Sequence, residues 1–179
     1  FIKDPPQKTA ALNTTKAKGY ALLAGIRRVL KDKQSWLVAI YGGLMFMPTI
    51  VLGSLWGVPF ITERLQLGNA EAAGVISMIF LGWALGSPFF GWFSDFLKKR
   101  KAVMLIASIG ASLSIAVALY LPHLTVVTAG TSLFLFGFLS SAFLISFTVM
   151  REIHSIENTG AATGFMNTLN MVGGAIGQP

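Results

Sequence analysis

Residues 102–150 read AVMLIASIGASLSIAVALYLPHLTVVTAGTSLFLFGFLSSAFLISFTVM and contain no Asp, Glu, Lys or Arg. As one helix, this run of 49 residues would be about 74 Å long. A bilayer core of about 30 Å needs only about 20 helical residues, so the run must turn. It turns at Leu121-Pro122-His123, because proline interrupts helical hydrogen bonds and histidine prefers the wet interface. The run therefore predicts two membrane spans, Ala102–Leu121 and Val126–Val149.

The chain as a whole is also unusually apolar. Hydrophobic residues make up 54% and charged residues 12%, about half the charged fraction of a soluble domain. A soluble bundle would need apolar outer faces, so we expect an all-α, polytopic transmembrane helical bundle. The further charge-free runs predict spans at Trp36–Leu55 and Ala73–Phe93, and a fifth span that starts at about Ala161 and is cut off by the end of the chain.

The basic residues indicate the orientation. Thirteen of the fourteen fall in residues 1–33, in the 93–101 connection or at Arg151, and Arg64 alone falls on the other side. By the positive-inside rule, residues 1–33 are cytoplasmic in a bacterial inner (plasma) membrane protein. This asymmetry accounts for the basic net charge of +7, so no nucleic-acid partner is expected. We expect two regions: a cytoplasmic linker, 1–34, and the transmembrane bundle, 35–179.

The linker contains a candidate amphipathic helix, Gly19–Lys33. Its apolar residues recur at spacings of three and four, and its basic residues lie elsewhere on the helix surface. Such a helix would lie along the inner leaflet with its cations near anionic headgroups. A plain connection between two membrane domains is equally consistent with the sequence. The apolar residues are Leu22, Leu23, Ile26, Val29 and Leu30.

Two spans share a motif of the form G-x-A-[LI]-G-x-P. GWALGSP at 82–88 matches GGAIGQP at 173–179, with an offset of 91 residues. Small residues at this spacing allow a neighbouring helix to pack closely. Because the two spans lie three apart, they cross the membrane in opposite directions. This favours inverted three-helix repeats, which are typical of secondary transporters. Chance similarity between two Gly-rich helices is the alternative.

At this point the sequence resembles the major facilitator superfamily, and in particular the C-terminal half of a twelve-helix transporter. The connection GWFSDFLKKRK at 91–101 is similar to the family's loop motif, a Gly, three residues, an Asp and then a basic cluster. Residues 1–6 are similar to the end of the sixth helix and the start of the central loop, and residues 160–179 to an eleventh helix. The resemblance implies helices seven to eleven of an incomplete half. Phe96 and Lys98 depart from the motif, which usually has a basic residue and a glycine there.

The resemblance also implies a role for this connection. In the family the loop latches one conformation by touching the other half, and Gly91, Asp95, Lys98 and Arg100 would carry that role here. From its chemistry, Asp95 can pair with Lys98 or Arg100, or accept from the N–H groups of a neighbouring helix start. An ordinary loop that only sets topology remains the alternative.

The resemblance further implies that the first span of each repeat lines a central cavity. Tyr41, Met45 and Thr49 fall on one face of the first predicted span, and Pro48 and nearby glycines allow it to bend. In the fifth, Asn167 and Asn170 share a face at i, i+3, and a buried Asn needs polar partners or water. Packing between helices is the alternative role for each of these five residues.

We expect the chain to be a fragment of a secondary active transporter, which moves a small solute by alternating access. The missing N-terminal half, the lipid bilayer and a solute of unknown identity are the expected partners, and the isolated fragment is expected to self-associate. The alternatives are a self-contained four-span homodimeric exporter and a non-transporting membrane scaffold. With no Cys, two His and no nucleophile–base pair or phosphate-binding loop, we expect no enzyme, cofactor or metal site.

Overall fold

A computed structural model describes residues 14–177, and its side chains from Leu23 onward. The first thirteen residues lie outside the described residues, and they include residues 1–6, which resemble the end of the sixth helix and the start of the central loop. The last two residues of the repeated motif, Gln178 and Pro179, also lie outside them. Within the described range the chain forms helices joined by short turns, and it contains no strand. The α-helices are α1 (Thr14–Lys31), α2 (Lys33–Ile50), α3 (Gly57–Leu65), α4 (Asn69–Leu97), α5 (Arg100–Tyr120), α6 (Val126–Ser140), α7 (Leu144–Ile153) and α8 (Thr159–Ile176).

Four segments are long and apolar enough to cross a membrane, as the sequence predicts. They are longer than the predicted spans, because charged residues are tolerated at helix ends that reach beyond the bilayer core. The fifth helix, α8, starts at Thr159, two residues before the predicted position. The four segments are Lys33–Leu65, Asn69–Leu97, Arg100–Tyr120 and Val126–Ile153.

The amphipathic helix ends earlier than predicted. It stops at Lys31, and Asp32 caps the start of α2. The Asp32 carboxylate accepts hydrogen bonds from the backbone N–H groups of Gln34 and Ser35 at 3.4 and 2.9 Å. An acidic cap at this position stabilises the first turn of α2, and it separates α1 from the first span.

The first and fourth spans are both interrupted. In the first, Pro48 cannot donate a backbone hydrogen bond, and the helix widens into a π-helical turn, Val51–Trp56, before α3. This is where the proline and glycines of the sequence predict bending. In the fourth, a 3₁₀ turn at Ser141–Phe143 separates α6 from α7. The sequence does not predict this second break.

The two most extensive helix contacts each join one predicted repeat to the other. The most extensive contact is between α4, the second span of the first repeat, and α6, which begins the first span of the second. The next is between α8, the second span of the second repeat, and α2, which begins the first span of the first. This reciprocal packing is what two inverted units related by a pseudo-two-fold axis require.

Glycines of the repeated motif lie in both contacts. A Cβ built on Gly82 would overlap the Phe134 carbonyl oxygen, and one on Gly137 would overlap the carbonyl oxygen of Ile79. At the symmetric position, a Cβ on Gly173 would lie 3.3 Å from the carbonyl oxygen of Gly43. The small residues therefore allow close backbone approach in both interfaces, and closer approach in the α4–α6 pair.

Candidate functional site

The α4–α5 connection is held by one arginine. The α4 helix ends at Leu97, and Lys98 takes a left-handed conformation (φ 51°) that turns the chain toward α5. Arg100, the first residue of α5, pairs with Asp95 at 2.9 Å. It also donates to the Ser94 hydroxyl at 2.9 Å. Of the two basic partners that the sequence offers Asp95, Arg100 is therefore the one that pairs.

The same arginine reaches a third helix. Its Nη2 lies 2.7 Å from Oε1 of Glu152 near the end of α7, and its Nε donates to both carboxylate oxygens of Glu152 at 2.8 and 2.9 Å. Arg100 thus ties α4, α5 and α7 together at one end of the bundle by charge-assisted hydrogen bonds. Both carboxylates are mostly exposed, so solvent screens the pairs and their contribution to stability is modest, about 1 kcal/mol each at most.

The sequence alone does not identify Glu152 or Ser94 as partners of Arg100. Glu152 lies 52 residues from Arg100, and no local spacing connects the two positions. Gly91, the first residue of the loop motif, has nothing within 4 Å of the position where a Cβ would stand. Within the described residues, no neighbour occupies the space beside this glycine.

The three candidate cavity residues of the first span point into the bundle. The Tyr41 hydroxyl donates to the Met104 carbonyl on α5 at 3.1 Å. Met45 is buried in the core between α2, α4 and α6. Thr49 is also buried, and its hydroxyl has no hydrogen-bond partner among the described residues. Tyr41 and Met45 thus have contacts within this bundle, whereas the Thr49 hydroxyl has no hydrogen-bond partner among the described residues.

The two asparagines of α8 differ in environment. Asn167 is exposed, whereas Asn170 is 2% exposed in the contact between α8 and α2. The Asn170 side-chain oxygen lies 3.2 Å from where a Gly42 Cβ would stand, and the Ser146 hydroxyl lies 3.0 Å from the same point. That Asn170 oxygen has no partner among the described residues. The structure therefore places Asn170 with Ser146, and it does not bring Asn167 to them.

The nearby serines mostly bond to their own helix, as is common in membrane helices. Ser140 also accepts a hydrogen bond from the indole N–H of Trp83 on α4 at 2.9 Å, which adds a polar link to the α4–α6 contact. Within residues 23–177, the side chains offer no cluster of three or more His, Cys, Asp or Glu that could hold a metal ion.

A second polar cluster joins the start of α2 to the end of α7. The Ser35 hydroxyl donates to Asp32 Oδ2 at 2.7 Å, and it lies 2.6 Å from Nε2 of His154. Because the carboxylate takes the only hydroxyl proton, Nε2 of His154 must carry a proton and donate to Ser35. The Ser35 side-chain hydrogen bond, together with the two backbone N–H groups and the nearby His154, lowers the pKa of Asp32.

Comparison with known families accounts for this architecture. The family model described as Major Facilitator Superfamily matches residues 1–178. The chain belongs to the major facilitator superfamily. No curated protein and no solved structure matches it.

Membership of the major facilitator superfamily makes this chain part of a membrane transporter, which confirms the family that the sequence resembles. The helical bundle with its four long apolar helices agrees with an incomplete bundle of the superfamily type. Its environment is therefore the lipid bilayer. Members of the superfamily are transporters and are not typically enzymes, which agrees with the expected function.

Proposed function

We propose that this chain forms helices seven to eleven, in the C-terminal half of a transporter that moves a small solute by alternating access in a plasma (inner) membrane. Residues 1–33 and the ends of the bundle at the α4–α5 connection lie on the cytoplasmic side, as the distribution of basic residues favours. The missing N-terminal half completes the solute pathway.

The observation that carries this proposal is the matched pair of broken spans. Pro48 with the π-helical turn Val51–Trp56 interrupts the first span of one repeat, and the 3₁₀ turn Ser141–Phe143 interrupts the first span of the other. Helix breaks of this kind absorb changes of backbone angle while the segments on either side stay intact. Two breaks in symmetry-related positions suit a gate that opens alternately to the two sides.

Polar groups near the first span support a solute pathway. The Thr49 hydroxyl and the Asn170 side-chain oxygen are buried and unpaired among the described residues. An unpaired polar group inside a membrane protein costs free energy, so such groups serve where water or a solute pairs with them. Asn167 is exposed on the middle of α8, where an amide facing lipid would be unfavourable. We propose that Thr49, Asn167 and Asn170 lie beside the pathway, with Tyr41 and Met45 behind them.

The α4–α5 connection is proposed as the conformational latch. Arg100 orients Asp95 and draws in Glu152, so three helix ends move together. The open space beside Gly91 leaves room for a helix of the other half. Because the ion pairs are exposed and weak, they can exchange with partners on that half during transport.

Labelling with a membrane-impermeant thiol reagent tests the pathway without knowledge of the solute. These 179 residues contain no cysteine, so an introduced thiol is the only one among them, and any cysteine of the other half is first replaced by serine. We expect Asn167→Cys in the intact protein to react in right-side-out and in inside-out vesicles, because an alternating cavity opens to each side in turn. Leu113→Cys is the control, since Leu113 is an exposed apolar residue on the outer surface of α5.

The expected rate for Asn167→Cys is at least about tenfold that of Leu113→Cys from both sides, because thiolates react only where water reaches them. Reaction from one side only would argue against alternating access. Equal, slow reaction of the two variants would place Asn167 against lipid or protein and refute its role beside a pathway.

A further inference from the structure

The amphipathic helix α1 is docked on the bundle. Val29 is fully buried in a cluster with residues of α7 and α8, such as Met150 and Ala162. Gly25 lies so close to the α7–α8 turn that a Cβ there would be 2.8 Å from the Asn158 side-chain oxygen. One face of α1 is therefore fixed at the start of α8.

The remaining surface of α1 is divided into an apolar stripe and a basic face. Leu23, Ile26 and Leu30 form the stripe at spacings of three and four, and they are 64%, 39% and 44% exposed. Arg27 and Lys31, one turn apart, lie on the face opposite Val29, and Arg28 is adjacent. Among the described residues, none of these three cations forms an ion pair. Such a division is typical of helices that lie in a membrane interface.

The apolar stripe borders a groove against α8. Ile26 and Leu30 form one wall, and Gly160, Gly164 and Thr168 lie along the other at intervals of four residues. The groove has a volume of about 320 Å³. Neither glycine has anything within 4 Å of its Cβ position, so the missing side chains leave this space open.

A tryptophan marks the depth of the groove. The Trp36 indole N–H donates to the Leu30 carbonyl at 2.9 Å, and its ring packs edge-on against Phe165, which also lines the groove. Tryptophan is enriched where lipid headgroups meet hydrocarbon. The tryptophan supports a position of the groove at the membrane interface, with hydrocarbon on one side and the basic face of α1 on the other.

We propose that this α1–α8 groove binds an anionic phospholipid of the leaflet at this end of the bundle. An acyl chain lies between the apolar stripe and the α8 glycines, and the phosphate lies beside Arg27, Arg28 and Lys31. Three unpaired cations beside an apolar groove match the charge and the shape of such a lipid. The proposal depends on α1 lying at a membrane surface and does not depend on alternating access, so the two can fail separately.

Fluorescence quenching in nanodiscs tests the site. A bimane label on Thr168→Cys reports from the groove, and brominated phosphatidylglycerol or brominated phosphatidylcholine is the quencher at equal fraction. We expect phosphatidylglycerol to quench at least about threefold more strongly, because each basic residue near the surface favours anionic lipid. The ratio should fall to about one when Arg27, Arg28 and Lys31 are all replaced by Gln.

Two further variants complete the design. Replacing Lys98, Lys99 and Lys101 by Gln removes the same charge from the α4–α5 connection, and the ratio should be unchanged. Gly164→Leu adds an apolar side chain to the groove at a position where a Cβ has nothing within 4 Å, and it should also bring the ratio to about one. The proposal is overturned by a ratio of one in the parent, by equal loss in both charge variants, or by the absence of quenching from either lipid, which would mean that protein covers the groove.

Discussion

The two copies of the repeated motif should respond differently to the same substitution. Gly82 and Gly173 occupy the first position of the motif in α4 and α8, and each lies against the first helix of the other repeat. An added Cβ at Gly82 would lie 2.6 Å from the Phe138 backbone nitrogen and closer still to the Phe134 carbonyl oxygen. At Gly173 the nearest atom would be the Gly43 carbonyl oxygen at 3.3 Å.

The required displacements follow from these distances. An ordinary Cβ contact begins at 3.4 Å, so Gly82→Ala must move α4 and α6 apart by at least 0.8 Å (3.4 less 2.6), whereas Gly173→Ala needs 0.1 Å (3.4 less 3.3). Backbone atoms cannot rotate away, so we expect Gly82→Ala to cost about 3 kcal/mol, the upper end for overpacking. Alanine also favours the helix by about 1 kcal/mol over glycine, which offsets the small strain at Gly173.

Thermal unfolding in detergent, followed by circular dichroism, measures the difference. For a chain of this length, about 3 kcal/mol lowers the midpoint by about 6–12 °C. Gly173→Ala should stay within about 2 °C of the parent, as should Gly74→Ala, a control on α4 with nothing within 4 Å of its Cβ position. Equal losses at Gly82 and Gly173 would refute the closer approach of α4 to α6, and no loss at Gly82 would refute the interface itself.

Three further results are expected. Because the pKa of Asp32 is lowered in the folded state, its carboxylate stabilises the protein above its unfolded pKa of about 3.9, and this stabilisation is lost as the pH falls through the pKa of the folded state. The unfolding midpoint of the parent should therefore fall more between pH 5 and 3 than that of Asp32→Asn. Parallel curves of midpoint against pH would contradict this. Asp95→Asn in the intact protein should slow transport more than Glu157→Gln, measured by uptake into proteoliposomes, and equal rates would make the loop purely topological. The isolated chain should self-associate in detergent, since Leu37, Leu85 and many other large apolar side chains are exposed, and light scattering that shows a single-chain species would count against it.

The fold follows from the sequence because a bilayer imposes a simple rule. Charge-free runs of about 20 residues must become helices, and basic connections set their orientation. The exact helix ends do not follow, since charged residues such as Glu63 and Arg64 remain helical beyond the apolar core. The break at Ser141–Phe143 was also missed, because no proline or glycine lies there and serine is common within membrane helices.

The candidate site is less accessible to sequence reasoning. The pairing of Arg100 with Asp95 is local, five residues apart, so the loop itself suggests it. Its bond to Glu152 and the contact of Ser35 with His154 join positions 52 and 119 residues apart, and only the packing of α7 brings them together. At i, i+3, Asn167 and Asn170 lie on the same side of α8. Three residues turn an α-helix by about 300°, so the two side chains still point about 60° apart, and this is enough for one to be buried and the other exposed.

The strengths of these contacts determine which parts of the bundle can move. The close glycine contacts join each repeat's second span to the other repeat's first span by backbone packing, which cannot loosen in small steps. The tie among helix ends through Arg100 consists of side-chain contacts to exposed carboxylates, which water can replace, whereas the contact of Ser35 with His154 is buried. In the proposed transport cycle we therefore expect the α4–α6 and α2–α8 pairs to stay intact. We expect the chain to bend where the first and fourth spans are already broken, while the exposed ion pairs at the helix ends exchange partners.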